Sequence, residues 1–218
     1  MGNFRNRIGL NKIRLDKLGA TLLATALCAS AAFAQDKAAK AAEPKMSPET
    51  QAMMEAWQKA STPGAQHKQL GDQFVGTWDT KMTAWMDPSA PPITSTGKSV
   101  NTAVFGGRQL RMDFTGEFMG QPFEGVGYSG YDNVRGKYTS TWTDNMSTGV
   151  MMSEGDYDAA TRTYTFSAEM PDMMKPGKTI PIRETLRVVD ADHHVMEMFE
   201  PRDGKEVKTM MLEYSRAK

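Results

Sequence analysis

A chain of 218 residues with 26 basic and 26 acidic side chains and 39% hydrophobic residues is long enough for one domain with a sizeable core. Balanced charge without a basic cluster argues against nucleic acid as a partner. A single cysteine excludes a disulfide within the chain.

The first residues read as a targeting segment. Arg5, Arg7, Lys12, Arg14 and Lys17 make a basic start, Leu18 to Ala32 is apolar, and Ala32-Phe33-Ala34 has the small-x-small form of a signal-peptidase site. An apolar run of about 15 residues is short of the roughly 20 that span a bilayer. Leu27, before Cys28, is not the small residue a lipobox carries. The sequence therefore predicts cleavage after Ala34 and a periplasmic or secreted protein with no stable membrane insertion afterwards. The mature chain of 184 residues has four more acids than bases and no cysteine, so its stability rests on core burial.

Residues 35–46 are Ala- and Lys-rich without an apolar pattern and read as a flexible lead-in. A helical segment is expected over 47–72. Ser47 caps free backbone N–H groups, Pro48 fits the first turn, and Glu49 suits the positive end of the dipole. Met53, Met54 and Trp57 form an apolar stripe for docking on something larger. Pro63-Gly64 ends this helix, and a short helical turn around His67 to Asp72 leads into the first strand.

From Phe74 the period changes to two. Trp78, Met82 and Met86 share one face; Leu110, Met112 and Phe114, then Tyr138 and Trp142, alternate with polar residues. The same holds for Tyr164, Phe166, Ala168 and Met170, for Ile180, Ile182, Leu186 and Val188, and for Met210, Leu212 and Tyr214. Turn signals such as Gly106-Gly107, Asp132-Asn133 and Asp203-Gly204 separate the runs. With no helical crossover between them, neighbouring strands are antiparallel, and a long meander closes to remove its edges. The expected architecture over 73–218 is all-β: an up-and-down antiparallel barrel of eight to ten strands with a short N-terminal helix. A two-sheet sandwich is the alternative.

Gly76-Thr77-Trp78 opens the first strand, and Arg216 lies near the end of the last. This resembles lipocalin-like barrels, in which the corresponding Trp plugs the closed end beneath an Arg, an arrangement that cation–π attraction favours. "VGTWDTKMTAWMDPSAPP", "FTGEFMGQPFEGVGYSGYDN" and "STWTDNMSTGVMMSEGDYD" are similar to domain-of-unknown-function family 1579, as is the run Val188 to Glu200. The likeness covers roughly Thr62 to Arg216. It implies a single lipocalin-like β domain, often exported, without an established activity. The pieces closest to the family pattern lie around Trp142 and in the following loop, so Asp144, Asn145, Ser147 and Thr148 are candidate site residues. The competing reading is that they supply turn chemistry.

Gly125 to Gly130 fits G-x-G-x-x-G, but a turn follows where a dinucleotide site needs a helix N-terminus. Alternate glycines in a strand instead permit a bend or leave room for a neighbour's side chain. Seventeen of the 18 methionines lie in the mature chain. Methionine fills cores and adaptable apolar pockets; as a soft ligand with imidazole it also suits copper, which makes His193, His194, Met196 and Met198 an alternative metal set. Of Arg183 and Glu184, which point to opposite faces, one is placed to enter the barrel and anchor a polar ligand head. Glu154 with Asp156, and Glu197 with Glu200, read as strand-surface charge, and no catalytic constellation or cofactor motif emerges. The leading expectation is a barrel that binds a small, largely apolar molecule between residues such as Met82, Met112, Trp142 and Phe166. A filled barrel serving as a structural or interaction protein is the alternative.

Overall fold

The computed structural model describes residues 46–87, 89–202 and 204–218. The leader, its cleavage point and the lead-in up to Lys45 lie outside them. Among the described residues the chain forms two α-helices, α1 (Pro48–Ser61) and α2 (Ala65–Phe74), and a short 3-10 turn at Phe105–Gly107. Ten strands complete the order: β1 (Gly76–Ala84), β2 (Ile93–Val104), β3 (Gln109–Phe118), β4 (Gln121–Asp132), β5 (Lys137–Asp144), β6 (Met151–Asp158), β7 (Thr163–Pro171), β8 (Thr179–Val188), β9 (His193–Arg202) and β10 (Lys205–Arg216).

Each strand pairs antiparallel with the next, and β1 closes on β10, with Trp78 opposite Arg216 and Ala84 opposite Met210. The result is a closed barrel, not a sandwich, at the upper limit of the expected strand number. A bulge between Lys208 and Met210 re-phases β10, so Leu212 and Tyr214 face inward while Lys208 stays outside with Glu197.

Helix α1 begins as its sequence dictates, with the Ser47 hydroxyl accepting from the Thr50 N–H at 3.1 Å. It differs from expectation in what it packs on. None of its residues is buried, and Met53, Met54 and Trp57 are 60%, 45% and 66% exposed. Only its C-terminal end is tied to the barrel: Asn133 donates to the carbonyls of Ala60 and Thr62, and Arg108 to that of Ser61.

Helix α2 seals one end of the barrel. It is a full helix, longer than the predicted turn, and Phe74 is its last residue instead of the start of a strand. His67, Leu70 and Phe74 follow the helical period and are buried. The His67 ring accepts the Gly64 N–H at 3.0 Å, and burial pushes its pKa down. Beneath lie Leu110, Tyr138, Tyr164, Phe166 and Val188. The Tyr164 hydroxyl accepts from Gln69 and donates to Gln73, which fixes α2 over the barrel axis.

Trp78 completes this end. It is fully buried, donates its indole N–H to the Phe74 carbonyl at 2.9 Å, and carries the Arg216 guanidinium 4.2 Å above its ring. Arg216 in turn donates to the carbonyls of Val75 and Ala191 and to Asp192. The predicted plug is thus formed. At the other end β1 stops at Ala84, so Met86 lies beyond the strand and is exposed.

Candidate functional site

Strand direction sorts the connections. The turns before β1, β3, β5, β7 and β9 gather with the helices at the sealed end, while those before β2, β4, β6, β8 and β10 ring the opposite mouth. Near the plug, Trp78, Leu110, Tyr138, Tyr164, Val188 and His194 are buried, while Leu186 and Tyr214 are partly accessible. Toward the mouth Ala84 and Ile182 are buried. Many others nearer the mouth are not: Met82, Met112, Trp142, Met196, Met198 and Met210 remain partly accessible. In a closed barrel an inward side chain in mid-strand reaches solvent only through the interior. These residues therefore line an internal space, as the greater width of ten strands over eight allows.

One wall is aromatic. The Trp142 ring stacks on Phe123, with centroids 6.4 Å apart, and meets the edge of Phe114 at 6.3 Å. It lies against Gly125 and Gly127, where an added Cβ would come 2.2 Å from the indole at the first and 2.7 Å from the Met112 methyl at the second. The G-x-G-x-x-G run is thus a strand whose inward glycines seat Trp142 and Met112. No helix follows it; β5 does. The facing wall is thioether-rich. Met82 and Met196 both pair with Leu212, and Met198 pairs with Met210.

Of the expected ligand-lining residues, Met82, Met112 and Trp142 line the accessible space, and Phe166 sits deeper, buried beneath it. Asp144 accepts from the Trp142 indole N–H at 2.9 Å and from the Met146 N–H. Asn145 is held by Glu124 and Pro122 of β4. Both therefore brace the wall and the turn. Ser147 and Thr148 are exposed at the tip of that loop, at the mouth.

The suggested metal set is divided by the strand. His193 is outside, with its ring on Asp190 at 2.9 Å; His194, Met196 and Met198 face inward. His194 is packed 4.3 Å from the Trp78 ring, 5.2 Å from Phe74 and 4.2 Å from Tyr214. Burial pushes its pKa down to about 3. The remaining carboxylate pairs are surface charge in part: Glu154 meets Arg135, Asp156 meets Lys137 and Glu197 meets Lys208. Glu200 accepts from Thr209 at the mouth.

Glu184 answers the question that the Arg183–Glu184 pair raised. Arg183 is outside, paired with Glu206 through two hydrogen bonds and lying over Phe199. Glu184 faces inward between Phe166 of β7 and Met198 of β9. It is partly accessible from the interior, and burial alone pushes its pKa up to about 7. Sequence gave a signal for it, since a carboxylate sits in phase with Ile182 and Leu186. Tyr214 was not singled out as a site residue, because its alternation looks like ordinary core. Burial and the Glu184 charge push its pKa up.

These features define a class: a lipocalin-like barrel, closed at one end by a helix and a Trp–Arg plug. The model of the family described as "Protein of unknown function (DUF1579)" matches residues 62–216, and the chain belongs to that family. Among solved structures, Rv2717c from M. tuberculosis is similar with a TM-score of 0.53 at 14% identity, covering 72% of this chain and 100% of that one. The S-type phycobiliprotein lyase CPES from Guillardia theta gives 0.45 at 13% identity, covering 72% and 99%. At 14% identity the likeness to Rv2717c speaks for fold alone. No curated protein matches the chain in sequence.

Proposed function

We propose that the protein is an exported carrier, periplasmic or secreted, that holds a small and largely apolar molecule in the mouth-side half of its barrel. One observation carries this: inward side chains of a closed barrel, Met82, Met112, Trp142, Met196, Met198 and Met210, remain accessible. A barrel packed solid would bury them, so the same observation weighs against the filled-barrel alternative. Methionine suits such a lining because its unbranched thioether adapts to different shapes. Exposed Met86, Met119, Met146, Met173 and Met174 extend the apolar path around the mouth. Export is supported by the basic, apolar and small-x-small order of the first 34 residues.

A titration with a hydrophobic fluorescent dye tests the carrier. Saturable binding is expected, with quenching or energy transfer from Trp142. Ala168 faces inward from β7, two residues nearer the mouth than Phe166, and is partly accessible. Ala168→Trp is expected to fill the space and weaken dye binding at least ~10-fold while the far-ultraviolet dichroism is unchanged. Dye binding that is absent in the wild type, or equal in the folded variant, contradicts the proposal.

A further inference from the structure

Glu184 is the charged group inside the barrel that the fold leaves without a use. Among the described residues its carboxylate has no hydrogen-bonding or ion-pairing partner, and burial is the whole of its pKa rise. One hydroxyl repeats the pattern: among the described residues Thr80, opposite Tyr214 across the strand pair, keeps a buried hydroxyl without a partner. Enclosing an unpaired carboxylate is costly, and pairing within the fold or replacement by an apolar residue would remove the cost. Glu184, by contrast, looks into accessible space.

The charge around it has one sign. Among the described residues, the inward positions between the plug and the mouth carry Glu184 and no lysine or arginine; Arg216 belongs to the plug and Arg202 to the mouth. Of the titratable groups on neighbouring elements, β10 contributes Tyr214, β9 contributes Glu200 at the mouth and His194 against the plug, and β7 contributes Tyr164 beneath α2. At this level β7 contributes Phe166 and Ala168. A low-dielectric interior of negative sign concentrates cations.

Building on the carrier reading above, we propose that the ligand is an amphiphile with a protonated amine, held with its ammonium on Glu184 and Tyr214 and its apolar body along the methionine and aromatic walls. The ammonium supplies the missing donors in a charge-assisted hydrogen bond, which is shorter and stronger than a neutral one. Depth fits this orientation, since Glu184 lies mid-strand with the apolar walls between it and the mouth.

Octylamine, octanol and octanoate share one tail and test the head. Calorimetric titrations at pH 8, where Glu184 is ionised and the amine is protonated, are expected to show octylamine binding at least ~10-fold tighter than octanol, a difference of about 1.4 kcal/mol. In Glu184→Gln the two bind alike, with octanol unchanged from the wild type. At pH 6 the wild type releases close to one proton per octylamine bound, read from the heat in buffers of different ionisation enthalpy. That readout stands even if the variant fails to fold. Equal binding of amine and alcohol, tighter octanoate, a preference that survives in Glu184→Gln, or no proton release overturns the amine head and leaves the carrier standing. Absence of binding by all three probes overturns both.

Discussion

Trp78→Ala is expected to lower the unfolding free energy by about 3–5 kcal/mol, the range for removing a buried aromatic from a core that relaxes only partly. Trp78 has no exposed surface. Its ring touches His194 and lies beneath Arg216, and its N–H is held by the carbonyl that ends α2. Alanine leaves a void beneath the helix and removes one of two donors to the Phe74 carbonyl, the other being Asn101 at 3.0 Å. Arg216→Met keeps the void filled and is expected to cost roughly 1 kcal/mol, mainly cation–π attraction and hydrogen bonds. The Arg216 change should cost less in the Trp78→Ala background, since the stacked partner is gone. Urea unfolding followed by circular dichroism measures all four proteins. A loss below about 1 kcal/mol for Trp78→Ala would mean that the plug is not part of the core.

The second large effect is on pH. His194 has a folded pKa of about 3 against about 6.5 unfolded, because charging it means placing an imidazolium among Trp78, Phe74 and Tyr214. A group with a depressed pKa contributes stability present above its unfolded value and lost as pH falls. Stability should thus decline from about pH 6.5 towards 3, by several kcal/mol in total. Glu184 acts in the opposite direction. Its folded pKa is about 7, above its ordinary 4.5, so its contribution is complete below about 4.5 and lost as pH rises through 7. Between about 4.5 and 6.5 the two slopes oppose each other. The expected curve is a plateau there, with a steep acid limb and a gentler decline from about 6.5 to 8. His194→Phe should remove the histidine part of the acid limb, leaving the smaller loss from carboxylates held low by hydrogen bonds, such as Asp132, Asp158 and Asp190. Glu184→Gln should remove the alkaline decline. Parallel curves for wild type and His194→Phe would contradict the burial of a neutral imidazole.

Much of this fold was legible because a barrel imposes one rule on every strand. Residues in phase with Trp78, Met112, Trp142 and Phe166 do face inward, and the Gly76–Trp78 opening with Arg216 predicted the plug. Boundaries were less legible. Phe74 reads equally well as the last apolar residue of a helix or the first of a strand, and α2 claims it because Leu70 and His67 share its face. Met86 keeps the two-residue phase of β1, yet Trp85 already donates its N–H to the Thr209 carbonyl and the chain then leaves the strand. The stripe on α1 misled more. Its apolar spacing is real, but Asn133 and Arg108 hold the helix by its end, so Met53, Met54 and Trp57 reach no part of the barrel.

For the candidate site, the sequence showed residue types but not their placement. Methionine enrichment pointed to a lined cavity, but linear order scatters methionines that closure brings to one wall and one rim. The Asp144–Thr148 loop drew notice through family likeness; its Asp and Asn turn out to hold Trp142 and β4. Glu184 required knowing which of two adjacent charges faces in, and that follows from strand pairing with Phe166 and Met198.

Whether the barrel encloses a molecule is tested most directly by native mass spectrometry of the protein, purified without detergent from its own host. The expected result is a species heavier than the bare chain by the mass of one small molecule, which leaves on gentle activation and is displaced by octylamine. A bare mass throughout, with no added mass when probes are supplied, contradicts the carrier.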